Sequence, residues 1–179
     1  MKLHKSESDF ADLIALTADH IGIPEDAIKR DYYIVLMLQR LEASNYAQNC
    51  VFKGGTSLSK CYPDSISRFS EDIDLTFMPS DISVNQIGKA LKAIEKIMIA
   101  DDSSATIPEE RSARSKSSIV WFEGDPTTKV KLEIGSSVRP DPFGPRTLKT
   151  YIQDYMEAEN LFQDVASFNL SDVTLNVLG

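Results

Sequence analysis

The chain has 179 residues, 42% hydrophobic and 26% charged, which suits one folded domain and excludes a disordered or fibrous protein. Acidic side chains outnumber basic ones 27 to 19, for a net charge of −8 and a pI near 4.8, so a general charge-driven affinity for nucleic acid or anionic membrane is disfavoured. Two cysteines and two histidines form no zinc-ligand spacing, no apolar run nears the roughly 20 residues of a membrane span, and no signal-peptide core follows Met1; the expectation is a reduced, cytoplasmic protein.

Phe10, Leu13, Ile14, Leu16 and Ile21 recur at helical spacing over residues 8–21. Pro24, with Glu25 and Asp26 behind it, then opens a second helix that the pattern carries to about Ser44. The first strand signal is Cys50–Lys53, which ends at Gly54-Gly55, where a short helix over Thr56–Lys60 begins. A strand over about Ser70–Phe77 follows a turn-rich stretch, and Ser83 caps a helix with Ile87, Leu91, Ile94, Ile97 and Met98 on its apolar stripe.

Residues 101–118 have the composition of an exposed connection. Ile119–Phe122 and Val130–Ile134 flank the turn signal Glu123-Gly-Asp-Pro126 and read as a hairpin. A Pro-rich loop over 139–145 leads to a helix around 150–166, and Val173–Val177 reads as a last strand. The order α, α, β, α, β, α, β, β, α, β predicts an α/β fold with a mixed sheet in a single domain.

Chemistry concentrates in two segments. On the strand 70–77, side chains alternate, so Asp72 and Asp74 project together while Ile73, Leu75 and Phe77 face the core. Two bare carboxylates about 4 Å apart repel by roughly 4 kcal/mol at an effective dielectric near 20, and a hard divalent cation turns that cost into coordination. On this reading, removing one charge relieves repulsion in the metal-free fold. An isolated Asp-x-Asp also occurs as a solvated strand face. Gly54 and Gly55, between strand and helix, let backbone N–H groups approach an anion at a helix N-terminus, with Ser57 offering a hydroxyl and Lys60 or Arg68 a positive charge near a triphosphate. An unaccompanied Gly-Gly is more often a tight turn. On Lys129–Ile134, Glu133 shares a face with Lys129 and Lys131; if this strand lies beside the Asp72/Asp74 strand, Glu133 completes a three-carboxylate cluster able to hold two metal ions.

Phe52-Lys-Gly-Gly-Thr-Ser-Leu-Ser-Lys60, Arg68-Phe-Ser-Glu-Asp-Ile-Asp-Leu75 and Lys131-Leu-Glu-Ile-Gly135 resemble, in order, the AbiEii/AbiGii abortive-infection toxin family over about residues 30–178. The resemblance implies a DNA polymerase β-like nucleotidyltransferase core over 49–179, preceded by N-terminal helices over 1–48. It implies Asp72 and Asp74 as the catalytic metal-binding pair, Glu133 as the third acidic residue, and Gly54, Gly55 and Ser57 as the phosphate loop. Mg²⁺ or Mn²⁺ and an NTP follow as cofactor and substrate, a tRNA or protein hydroxyl as acceptor, and a cognate antitoxin as partner. Members of the family continue into a helical region, with a further lysine and acidic residue, that is not part of this sequence.

The leading reading is an enzyme that transfers a nucleoside monophosphate from an NTP to an acceptor hydroxyl, as the toxin of a toxin–antitoxin or abortive-infection pair. A metal-dependent nuclease is the alternative, although it needs no Gly-Gly phosphate loop and orders its acid and lysine the other way. A non-catalytic nucleotide-binding module is the third class. Any RNA contact would draw on Arg111, Arg114 and Lys116, or Arg139 and Arg146, residues more often found as ordinary solvated charges.

Overall fold

A computed structural model describes residues 1–62, 72–99 and 104–179. Helix α1 (Glu7–Ile21) stops at Gly22, whose φ of 81° supplies the left-handed cap and whose N–H reaches Ala18 O. Pro24, extended at φ −60°, leads into α2 (Glu25–Glu42). The centre of α2 is buried on every side from Asp31 to Leu38, because it lies between α1, α4 and α5 and the sheet.

Strand β1 (Cys50–Lys53) runs directly into α3 (Gly54–Cys61), and β2 (Asp72–Phe77) precedes α4 (Val84–Ile99). Ser83 and Gln86 cap α4 reciprocally: Gln86 N–H donates to Ser83 Oγ, and Ser83 N–H to Gln86 Oε1. Then come β3 (Ser104–Arg111), β4 (Ser115–Phe122), β5 (Asp125–Gly135) and β6 (Phe143–Leu148). Helices α5 (Tyr151–Ala158) and α6 (Phe162–Ser167) and strand β7 (Val173–Leu178) complete the described chain.

The strands form one sheet in the order β3-β4-β5-β2-β1-β7-β6, with β2–β5 and β1–β7 parallel and the other pairs antiparallel. The mixed sheet agrees with the expected fold class, and β2 lies beside β5 as the matched alternation required. Ile73, Leu75, Val130, Leu132 and Ile134 are buried on one face, which α2 and α4 cover; Tyr33 of α2 stacks on Phe122 of β4 there, ring centroids 4.4 Å apart. The opposite face carries the half-exposed Asp74, Lys131 and Glu133.

Three expectations need correction. Most of the segment read as an exposed connection is strand: β3 and the first half of β4. Strand β3 sits at the sheet edge, so its polar side chains are solvated and its order comes from pairing with β4; Pro108 is tolerated beside a shift in register. The Pro-rich loop likewise ends in a second edge strand, β6, which pairs along its whole length with β7 and accommodates Pro145. The single helix around 150–166 is two helices, parted where Asn160 turns left-handed at φ 58° and Leu161 N–H closes on Met156 O. In the expected hairpin, Glu123 and Gly124 both take positive φ, 53° and 66°, which matches the twist of the flanking strands.

Candidate active site

The site is built on a row of residues that crosses four strands. Register pairs Lys53 of β1 with Asp74 of β2, Asp74 with Glu133 of β5, and Glu133 with Ser117 of β4. Neighbouring strands lie about 4.8 Å apart, so the two carboxylates stand side by side. Asp72 is on the same face two residues back, opposite Lys131, and is exposed. Two residues of strand is roughly 6.6 Å, which separates Asp72 from the Asp74–Glu133 row.

Both carboxylates of the row are neutralised by lysines. Lys53 Nζ lies 3.1 Å from each carboxylate oxygen of Asp74. Lys131 Nζ lies 2.9 Å from Glu133 Oε1 and 3.5 Å from Glu109 Oε2, and the hydrogen bond to Glu133 raises the Lys131 pKa above its ordinary value. Lys53 precedes the glycines by one residue, yet sequence reasoning did not give it a role, because the β1–β2 register is a long-range property. Glu109 lay in the segment read as a connection.

Gly54 starts α3 with φ +84°, a left-handed conformation that favours glycine. A Cβ built there would meet Asp74 Cβ at 3.4 Å and Oδ2 at 3.6 Å, so the turn brings the N-terminus of α3 against the Asp74 carboxylate. Gly55 follows inside the helix. Ser57 is buried, and its Oγ donates to Gly54 O at 2.8 Å, holding the turn closed.

Lys60 is placed differently from the triphosphate contact the sequence pointed to. It lies near the far end of α3, with Nζ 2.7 Å from Asp31 Oδ1 of α2 and 3.9 Å from the centroid of the Tyr151 ring. Both side chains of the pair are at least nine-tenths buried, and Tyr151 N–H donates to Asp31 Oδ2 at 2.8 Å. Burial pushes the Asp31 pKa up, opposed by the Lys60 charge. Arg68 lies outside the described residues.

A cleft of about 360 Å³ opens over the row, lined by Lys53, Asp74, Glu133, Arg114, Ser115 and Ser137 among others. Among the described residues, no three carboxylate, histidine or cysteine side chains converge as a metal-binding group. Mg²⁺ is commonly held by one or two carboxylates together with substrate phosphates, and the adjacent Asp74 and Glu133 oxygens fit that donor set. Cys50 and Cys61 are pushed up by burial to about 12 and about 11, which disfavours a thiolate at either.

The family model for the nucleotidyl transferase AbiEii toxin of type IV toxin–antitoxin systems matches residues 36–169. A search of the curated proteins returns no match. Among solved structures, the chain is similar to MenT4, a nucleotidyltransferase toxin from Mycobacterium tuberculosis H37Rv, at 22% identity and a TM-score of 0.49, over 68% of this chain and 43% of that one. The chain thus spans less than half the length of that protein. No helix among the described residues is long and apolar enough to cross a membrane.

Proposed function

Because the chain belongs to the AbiEii nucleotidyltransferase toxin family, we propose that its open sheet face transfers a nucleoside monophosphate from an NTP to an acceptor hydroxyl, releasing pyrophosphate, as the toxin of a toxin–antitoxin pair. One observation carries this reading: Asp74 and Glu133 sit at paired positions of parallel strands, with Gly54 so close to Asp74 that a Cβ there would touch it. That geometry places two anionic oxygen donors beside backbone N–H groups at a helix N-terminus, the complementary groups for a cation and a phosphate chain.

Asp74 and Glu133, together with phosphate oxygens of the substrate, would hold Mg²⁺ or Mn²⁺. Asp72, on the same face, stands apart from that pair, so the three-carboxylate cluster expected from the sequence is not assembled among the described residues. Bound there, the metal supplies electrostatic stabilisation of charge on the transferring phosphorus and its leaving group. The N-terminus of α3 at Gly54 and Gly55 receives the phosphates, and Ser57 keeps that turn closed. Lys53, one residue before the loop and 3.1 Å from Asp74, would be placed to pair with a phosphate oxygen if Asp74 served a metal. The acceptor hydroxyl gives up its proton to water as its oxygen bonds to the α-phosphorus and the bond to the bridging oxygen of pyrophosphate breaks.

A tRNA end or a protein side chain is the acceptor in this reading, a cognate antitoxin the partner, and the cytoplasm the compartment. The phosphate loop favours transfer over the nuclease alternative, since hydrolysis of a phosphodiester has no need of a triphosphate cradle. The test follows an α-labelled NTP with Mg²⁺. Label on total tRNA or on the protein is the expected result. Cleaved nucleic acid without transfer would establish a nuclease, and metal-dependent binding without either would leave a nucleotide-binding module.

A further inference from the structure

The triphosphate needs a cation at this site, and the basic residues near it differ in what already holds them. Lys60 is locked to Asp31 behind α3, Lys131 lies between Glu109 and Glu133, and Lys53 sits on Asp74. Arg111 is committed to Glu95 of α4 through two parallel hydrogen bonds of 2.9 and 2.8 Å. Lys116 is buried, its ammonium donating to Ser112 O, and Arg146 lies over the Tyr62 ring.

Arg114 is the exception in its own segment. It lies between β3 and β4, is exposed, lines the cleft together with Asp74 and Glu133, and is paired with no carboxylate among the described residues. Its backbone is fixed. Ser136 N–H and Oγ both donate to Arg114 O at 3.0 Å, and the preceding residue packs on α4, where a Cβ at Gly88 would lie 3.4 Å from Ala113 O. The adjoining pair Ser115–Gly135 is two residues along β5 from Glu133, roughly 6.6 Å. An arginine side chain bridges that distance to a phosphate held at the carboxylates.

From this placement we infer that Arg114 binds the phosphate chain of the NTP, the part the sequence pattern had given to Lys60 or Arg68. The inference rests on the nucleotidyl-transfer reading and adds a binding residue to it. A guanidinium presents two parallel donors to phosphate oxygens, and in a chain of net charge −8 it supplies local positive charge beside two carboxylates.

Calorimetric titration of each of the four NTPs, with Mg²⁺, into the wild-type chain, Arg114→Ala and Arg114→Lys tests it, with the matching nucleosides as phosphate-free probes. Expected is a rise of about 10- to 100-fold in NTP Kd for Arg114→Ala, the range for loss of a charged hydrogen bond. Arg114→Lys should recover part of it, and melting temperature and nucleoside binding should not change. An NTP Kd within twofold of wild type in Arg114→Ala overturns the inference, as does an equal loss for NTP and nucleoside. Failure of the wild-type chain to bind any NTP overturns the nucleotidyl-transfer reading itself, and the role of Arg114 with it.

Discussion

Lys53 Nζ stands 3.1 Å from both carboxylate oxygens of Asp74, so the acidic pair at the heart of the row is not a bare pair. This reverses the expected stability effect of removing a charge. With uncompensated carboxylates, Asp74→Asn would relieve repulsion and stabilise the metal-free protein. With Lys53 in place it removes an ion pair that is 22% and 33% exposed at its two side chains, a loss of about 1 kcal/mol or less. The metal-free melting temperature of Asp74→Asn should therefore stay level or fall slightly, while nucleotidyl transfer drops by about two to three orders of magnitude. Differential scanning calorimetry and label transfer read the two effects separately. A clear rise in melting temperature would show that Lys53 does not compensate Asp74.

The two glycines of the loop should respond differently to alanine. Gly54 has φ +84°, where an L-residue costs about 1–2 kcal/mol, although its new methyl would only touch Asp74 at ordinary contact distance. Gly55 lies inside α3, where alanine is favoured over glycine by up to about 1 kcal/mol. Urea midpoints should fall for Gly54→Ala and hold or rise for Gly55→Ala. Equal losses at the two positions would contradict this account of the turn.

Much of this was readable from local pattern. The alternation Val130, Leu132, Ile134 against Lys131 and Glu133 identified β5 and its faces, and Asp72-Ile-Asp-Leu75 did the same for β2, because a half-buried strand writes its period of two directly into sequence. Edge strands β3 and β6 left no such record, since pairing orders them and, Leu148 at the end of β6 apart, their side chains are exposed or only half-buried. At the site, the carboxylates and glycines were visible as residue types. The partners Lys53, Glu109 and Arg114 depend on register and on a hairpin turn, which no window of sequence contains. Lys60 shows the same limit: six residues after Gly54 it is about 9 Å further along the helix, away from the N–H groups that would hold phosphate.

That placement gives Lys60 a structural role that can be measured. Removing one member of a buried pair leaves the other charge uncompensated, typically at a cost of about 3–5 kcal/mol. Lys60→Met should lower stability by that order at pH 8. Asp31 has its pKa raised by burial already, and loss of Lys60 removes the charge that opposes the rise. A carboxyl whose folded pKa exceeds its unfolded one binds more protons when folded, so stability falls as pH climbs through the folded value. The deficit of Lys60→Met should accordingly shrink between pH 8 and pH 5. A deficit that is small or independent of pH would argue against the buried pair.

Asp125 supplies the opposite sign. Its carboxylate accepts from Lys29 Nζ at 2.6 Å and from Thr127 N–H and Oγ1 at 2.9 and 2.7 Å. The Lys29 hydrogen bond foremost, then that of Thr127, hold its pKa down at about 2, against an ordinary value of 3.8. Between those two values the unfolded chain binds the proton and the folded chain does not, so the stability Asp125 contributes is complete above about pH 4 and is lost as pH falls toward 2. Asp125→Asn keeps an oxygen for the turn at Thr127 but loses the charged partner of Lys29. At pH 7 it should be less stable than wild type by about 1–2 kcal/mol, within the range for a hydrogen bond to a charged group. The gap should narrow from pH 4 downward and close near pH 2, while Lys29→Met, which removes the other half of the contact, follows the same course. Denaturant melts at pH 7, 4, 3 and 2 give the curve. A gap that persists undiminished at pH 2 would place the contribution of Asp125 in shape rather than charge and remove the Lys29–Asp125 pair from the tie between α2 and the start of β5.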